Sequence, residues 1–257
     1  MPPTARRADP ARIRPALSAQ WQALRSYVAG LGPSRLAARS SLPAWTVNEL
    51  IAHIADGIAA VTERLDRPAP ARAEVTIADW ARGCEPKAPD LAEFARDLAA
   101  TVDPRELLDR EVAAAEAALD RVEDAQRIVW STAGGFRLGD YLTTRVVEAV
   151  VHGDDLDRDF PHDRTALGIC VRALADVLAT TVPGSSVEVR IPPFAAVQCV
   201  PGPRHTRGTP PGVVELDPLT WVRLATGRMR WADAVSDGRL RASGERTDLS
   251  HFLPILA

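Results

Sequence analysis

The feature that most constrains the fold is a change in the spacing of apolar residues about two thirds of the way along the chain. Before residue 183, apolar side chains recur every three or four positions in segments rich in Ala, Leu, Arg, Asp and Glu, which is the period of an amphipathic helix. After Pro183 and Gly184, the stretch "SSVEVRI" alternates apolar and polar residues, as a half-buried strand does. The sequence therefore predicts an α+β protein, helical first and mixed afterwards.

The best-marked predicted helix is "WTVNELIAHIADGIAAVTERLDRP". Thr46 and Glu49 have the spacing of a capping box, and Pro68 follows the predicted end. Further helices are predicted from Arg12 to Gly30 or Gly32, over residues 90–122 with a break at Asp103, and from Gly139 or Asp140 onwards.

The last third is predicted to contain strands within residues 185–217, a short helix in "DPLTWVRLATG" and a final helix in "TDLSHFLPIL". The segment "AGG" at 133–135 is predicted to be only a turn before a helix. A chain of 257 residues can form one large domain or two unequal ones, and we place the two at residues 1–165 and 166–257, the second including a connecting helix.

Charge and cysteine usage exclude several classes of protein. The formal net charge is -3, with both signs interspersed, which argues against nucleic acid or an acidic membrane as partner. Cys84, Cys170 and Cys199 form no C-x-x-C pair, so neither a disulfide framework nor a thiolate zinc site is predicted. No apolar run approaches the roughly 18 residues of a membrane span. We expect a soluble cytoplasmic protein.

The stretch "RVVEAVVHGDDLDRD" places an acid, Glu148, inside an apolar helix and a histidine, His152, four residues later. Residues four apart lie on one face of a helix, so the carboxylate and the imidazole are neighbours. One interpretation is an ion-pair strip that also includes Arg145, and spacing alone favours it. The other is a metal site, where a cation offsets the cost of burying the acid.

A metal site needs a third protein ligand, and His53 on the capped helix is the candidate. Gly57, one turn further on, leaves room beside its ring. Two histidines and one glutamate are typical of a catalytic zinc site, which keeps a position open for water or substrate. A boundary histidine bonded to Asp56 or Glu49 would explain His53 equally well.

Two stretches, "LPAWTVNELIAHIADG" and "RVVEAVVHGDDLDRD", resemble the signature helices of the mycothiol-dependent maleylpyruvate isomerase family. The resemblance covers roughly residues 10 to 165 and implies a DinB-like four-helix bundle whose metal ligands match His53, Glu148 and His152. The tail from about residue 183 resembles the small α/β sterol-carrier-type domain often fused to such bundles.

The resemblance implies a divalent metal, usually zinc, and a low-molecular-weight thiol such as mycothiol. The metal would bind the thiol sulfur and lower its pKa, so that the thiolate can add to an electrophilic small molecule in an isomerisation or a group transfer. The alternative is a non-catalytic protein that binds a metal, or an apolar ligand in the sterol-carrier-type domain. Oligomeric state and substrate are not implied.

Four further residues are candidates for supporting roles at such a site. Asp56 and Asp155 each lie three residues after a candidate histidine and within reach of its ring, although a solvent-facing acid is the commoner case. In the tail, Arg223 is a candidate catalytic residue, and Arg228 a second one, that would bind a substrate carboxylate with two hydrogen bonds. Surface arginines are again the commoner explanation.

Overall fold

The computed structural model describes residues 8–42, 45–83, 88–202 and 212–256. As far as they are described, residues 7–76 and 86–166 form one compact unit, here called the helical unit. Residues 77–85 and 167–257 belong to the second, here called the mixed unit. Cys84 lies outside the described residues.

The helical unit contains most of the long helices and one hairpin. Its elements are α1 (Pro10–Ala29), α2 (Pro33–Ala37), α3 (Val47–Asp66), α5 (Ala88–Thr101), α6 (Pro104–Asp120), β1 (Ile128–Ser131), β2 (Gly134–Arg137) and α7 (Leu138–Leu156). The short helix α4 (Ile77–Arg82) belongs to the mixed unit, as does most of α8 (Arg164–Thr181).

Four helices of the helical unit form a closed bundle. Helix α1 packs against α6 and α7, and α3 packs against the same two helices. Their facing stripes are fully buried, with Trp21, Leu50, Ile51 and Val147 each at most 1 % exposed. The predicted four-helix bundle and the predicted α+β class are both confirmed.

The start of α3 shows the predicted capping box. The Glu49 amide donates to Thr46 Oγ1 at 3.2 Å, and the Thr46 amide donates to Glu49 Oε2 at 2.7 Å. Both bonds satisfy backbone donors that the first turn of a helix leaves without partners. They define where α3 begins and hence the turn on which His53 lies.

A two-stranded hairpin precedes α7, where the sequence predicted only a turn. Strands β1 and β2 are antiparallel, with Val129 opposite Phe136. A Cβ on Gly135 would lie 2.1 Å from the carbonyl oxygen of Arg72, so only glycine allows this approach of the two backbones. The Gly135 carbonyl in turn accepts from the amides of Glu74 and Val75. The hairpin thus depends on a segment far away in sequence.

The mixed unit is built on a four-stranded sheet whose neighbouring strands are, in order, β4 (Ala195–Cys199), β3 (Val187–Ile191), β5 (Gly212–Leu216) and β6 (Leu240–Gly244). Strands β3 and β5 are parallel, and the two outer pairs are antiparallel. The described elements after α8 are β3 (Val187–Ile191), β4 (Ala195–Cys199), β5 (Gly212–Leu216), α9 (Pro218–Ala225), α10 (Trp231–Ser236) and β6 (Leu240–Gly244). The strands predicted within 185–217 and the helix predicted in "DPLTWVRLATG" are confirmed.

The prediction of a final helix in "TDLSHFLPIL" is wrong. Only Ser250–Phe252 form a single 3₁₀ turn, after which Leu253 is extended with φ -120° and ψ 145°. Proline disfavours the helical conformation of the residue before it, and Pro254 follows Leu253 directly.

In the described part of the chain, no helix is long and apolar enough to cross a membrane.

Candidate functional site

A pocket in the helical unit brings the three predicted ligands together. It contains about 310 Å³ of space without protein atoms, part of which is open to solvent. Three helices line it: α1 through Trp21, α3 through four residues and α7 through four more. The residues from α3 and α7 are His53, Ile54, Gly57, Ile58, Arg145, Glu148, Ala149 and His152.

The two candidate histidines face each other across this pocket. The ring centroids of His53 and His152 are 4.9 Å apart, with the rings nearly perpendicular at 85°. The ring of Trp45, just before α3, packs edge-on against His53 with centroids 5.1 Å apart. Helices that are distant in sequence therefore place two imidazoles side by side, and Trp45 restricts the orientation of one of them.

Asp155 orients the His152 ring. Its Oδ2 lies 3.1 Å from His152 Nδ1, and its side chain is fully buried. Ser41 adds a hydroxyl that donates to Asp155 Oδ1 at 3.2 Å. The solvent-facing position considered for Asp155 from sequence is therefore wrong. A carboxylate at this distance favours the tautomer with the proton on Nδ1, which leaves the lone pair on Nε2.

Arg145 binds the carboxylate of Glu148 with both of its terminal nitrogens. Nη2 donates to Oε1 at 2.7 Å, and Nη1 lies 2.6 Å from Oε2. The Arg145 side chain is only 9 % exposed and that of Glu148 is 30 % exposed. The ion pair that the spacing favoured is thus present. It lies at the edge of the pocket and not on a solvated face.

The ring of Tyr141 is in contact with two guanidinium groups. The Cζ atoms of Arg64 and Arg145 lie 4.9 Å and 5.1 Å from its centroid. Burial raises the pKa of Tyr141, and the two nearby arginines act in the opposite direction. Tyr141 therefore stays a neutral phenol at ordinary pH and serves as an apolar platform for the Arg145 guanidinium.

Asp56 lies half-buried on α3, one turn after His53. Burial raises its pKa, and nearby carboxylates, Glu148 among them, act in the same direction. The predicted contact of Asp56 with the His53 ring stays a prediction.

The donor set fits a zinc ion in kind, since two imidazoles and one carboxylate line the same pocket. Within the described ranges, however, no three His, Cys, Asp or Glu side chains converge closely enough to hold a metal ion. The carboxylate of Glu148 is bonded to Arg145, as described above. Metal ligation by His53, Glu148 and His152 therefore stays a prediction.

The predicted arginines of the tail lie on and just after α9, in the mixed unit. The carbonyl of Arg223 accepts from the amides of Arg228 and Met229 at 2.7 Å and 3.1 Å. The guanidinium of Arg228 donates to the Thr226 carbonyl at 2.7 Å. These bonds close the C-terminal end of α9. Binding of a substrate by Arg223 stays a prediction.

Neither described cysteine offers a reactive thiolate. Cys170 and Cys199 are both fully buried. Burial raises the pKa of the Cys199 thiol to about 11 and that of Cys170 still further. A thiolate is the reactive form, so a thiol that reacts in this pocket is not supplied by these two residues.

Sequence analysis missed two parts of the site. Trp21 on α1 was not predicted to lie at the site, yet its ring lines the pocket. The Tyr141 platform for Arg145 was not predicted either. The spacing of Tyr141, Arg145 and Glu148 along α7 was the available signal, since residues three and four apart share a helical face.

A comparison with known protein families shows to which family the chain belongs. The profile of the mycothiol maleylpyruvate isomerase N-terminal domain matches residues 17–157, more than half of the chain. The chain belongs to this family. Its maleylpyruvate isomerase domain contains the whole pocket, and the profile of the bacterial SCP ortholog matches residues 163–255 behind it. The resemblance found in the sequence is confirmed for both parts.

Solved structures support the family fold. A crystal structure of the mycothiol-dependent maleylpyruvate isomerase is similar with a TM-score of 0.55 and 20% identity, over 91% of this chain and 92% of that one. A variant of that isomerase with one histidine replaced by alanine gives the same values. At this identity the likeness concerns the fold. No curated protein sequence matches the chain significantly.

Proposed function

We propose that this member of the maleylpyruvate isomerase family is a metal-dependent isomerase or transferase that uses a low-molecular-weight thiol, with mycothiol as the first candidate. The metal, most simply zinc, would be held by His53, Glu148 and His152. All three lie in the proposed metal-binding domain, residues 1–165. The observation that carries the proposal is the pocket that these three side chains line. Family membership supports the use of a thiol.

The residues of the chain prepare this site in three ways. Asp155 holds His152 in one tautomer, with Nε2 available for ligation. Arg145 binds both oxygens of the Glu148 carboxylate and sets its orientation. Trp21, Ile54 and Ile58 provide apolar walls that limit the access of water. Zinc bound there would supply a Lewis acid that lowers the pKa of a thiol.

Family membership supports a small molecule as the source of the thiol. The two cysteines that the structure describes, Cys170 and Cys199, are buried with raised pKa values. The substrate would be an electrophilic small molecule, and Arg223 is proposed to bind its carboxylate. Arg223 lies on α9.

Metal content and thiol binding test the proposal in sequence. Purified wild type should contain one zinc per chain and H152A none, while H251A, which removes an exposed histidine, should keep it. Mycothiol should then raise the melting temperature of the zinc-loaded wild type, because a ligand of the native state stabilises it. Equal metal content in wild type and H152A would overturn the metal site. The absence of a thermal shift would overturn thiol use.

The match of residues 163–255 to a bacterial SCP ortholog favours one alternative, a non-catalytic protein that binds an apolar ligand. It predicts that a fluorescent fatty acid binds the chain with the same affinity before and after chelation. A zinc-bound protein that binds neither thiol nor fatty acid would instead keep its metal for stability alone.

A further inference from the structure

Arg145 is a buried charge at the edge of the pocket, and its guanidinium has three kinds of contact. It binds both oxygens of Glu148, with Nη2 2.7 Å from Oε1 and Nη1 2.6 Å from Oε2. Its Nε and Nη2 each lie 3.3 Å from Thr144 Oγ1. Its Cζ lies 5.1 Å from the centroid of the Tyr141 ring. The guanidinium is therefore restrained on its edge and on its face.

These contacts determine the orientation of the Glu148 carboxylate. A two-pronged bond between guanidinium and carboxylate defines the plane of the carboxylate as well as its distance. Arg145 is only 9 % exposed, and a buried cation without its anion is costly. The pair therefore persists and holds the Glu148 carboxylate in a single orientation before any ligand enters.

The pair leaves Glu148 able to accept a further bond. A carboxylate has about four lone-pair sites, and Arg145 uses one on each oxygen. Gly57 has no side chain beside this carboxylate, and even a Cβ built there would lie 3.4 Å from Oε2. Space is therefore available next to an oxygen that is already oriented.

We propose that Arg145 is a positioning residue for Glu148, which prepares the carboxylate for metal binding through its two-pronged hydrogen bond. This inference rests on the proposed function, in which Glu148 is a metal ligand. Arg145 need not touch substrate or metal in this role. Thr144 and Tyr141 support it by keeping the guanidinium in place.

The test compares zinc affinity among variants, measured by competition with a chromophoric chelator. R145Q removes both the charge and the paired nitrogens, and R145K restores the charge alone. Removal of a hydrogen-bond partner of a metal ligand weakens metal binding about 10- to 100-fold, and we expect R145Q to fall in this range and R145K between it and wild type. The matched control is R67Q, which removes an exposed arginine paired with Glu63 on α3, and it should bind zinc as wild type does.

Two further measurements keep the test decisive. Cobalt-substituted R145Q should show an altered ligand-field absorption band, because a carboxylate that is free to rotate changes the metal geometry. T144V removes the hydroxyl that contacts the guanidinium, while valine retains the shape of threonine. It should weaken zinc binding less than R145Q does. The inference can therefore be tested even if R145Q does not fold.

The outcomes separate this inference from the proposed function. A wild type that binds zinc, with R145Q binding it equally or more tightly, overturns the positioning role alone. Where R145Q does not fold, equal or tighter binding by T144V does the same. A wild type that binds no zinc overturns both. Weaker binding by R145Q, partly restored in R145K and unchanged in R67Q, supports the role.

Discussion

His152 and Asp155 are joined within one turn of α7, with Nδ1 of the ring 3.1 Å from Oδ2 of the fully buried carboxylate. The loop before α3 reaches the same aspartate, since the Ser41 hydroxyl donates to Oδ1 and the Ser41 amide to the Asp155 carbonyl. The orientation of a candidate ligand on α7 therefore depends on a loop from the other side of the pocket.

This relationship predicts the effect of changing Asp155. D155A should weaken zinc binding about 10- to 100-fold, because the His152 ring loses the partner that sets its tautomer. D155N keeps an acceptor oxygen and should lose less. Chelator competition measures both variants. D159A, which removes an exposed aspartate of the same segment, is the control, and zinc binding by D155A at wild-type strength would contradict the role.

A methyl group at Gly57 should leave the stability of the fold unchanged or higher and should weaken the binding of the thiol. Gly57 lies inside α3, where alanine is favoured over glycine by up to about 1 kcal/mol. A Cβ there would lie 3.4 Å from Glu148 Oε2 and 3.9 Å from Arg145 Nη1, which is ordinary contact. G57A should therefore unfold at an equal or higher urea concentration, yet give a smaller thermal shift with mycothiol, because the methyl group occupies pocket space.

The control for this experiment is G32A, at a position where an added Cβ meets no atom within 4 Å. It should leave the thermal shift unchanged. If G57A retains the full shift as well, the thiol does not occupy the part of the pocket beside Gly57.

The hydrogen bond between Tyr27 and Asp157 predicts a pH dependence of stability. The Tyr27 hydroxyl donates to Asp157 Oδ2 at 2.6 Å. This bond is the largest of the influences that lower the pKa of Asp157 below 3.8. A lowered pKa in the folded state stabilises the fold above 3.8, and this contribution is lost as the pH falls through the folded-state value.

Y27F should therefore lower the free energy of unfolding by about 1 kcal/mol at neutral pH, a modest value for a solvent-accessible pair. Its ring can keep the contact with Phe160, whose centroid is 5.2 Å from that of Tyr27. Urea unfolding of wild type and Y27F at neutral and acidic pH measures the difference, which should shrink below pH 3.8. A difference that stays constant with pH would show that the carboxylate charge is not involved.

Local signals in the sequence were sufficient for the long helices and for the strands of the mixed unit. Thr46, Glu49 and the apolar stripe that follows them mark α3 by interactions within one or two turns. The hairpin before α7 was missed because Gly135 is needed for its approach to Arg72, a contact that no local pattern reports. The wrong final helix had a local signal against it in Pro254.

The same distinction holds for the site. The four-residue spacing of Glu148 and His152 was sufficient to place them on one face of a helix. His53 was proposed as their partner from its position on the capped helix, and the family resemblance matched that choice. The burial of Asp155 was not predictable from α7, because Ser41, a residue 114 positions away, covers it. Gln20 is a similar case on α1. It is fully buried because its side chain bonds the Ala149 carbonyl and the Asp163 amide, both distant in sequence.

Two of the three candidate donors share α7, so the rise of one helical turn sets their separation and the rest of the fold has little influence on it. His53 lies on α3, and the gap between these two helices is the one dimension that tertiary packing has to supply. A substitution that widens or narrows this gap would act as a coarse adjustment of affinity for any cation placed between them. The choice of which ion fits would then be made by the interhelical side chains, and substitutions there offer a route to altered metal preference.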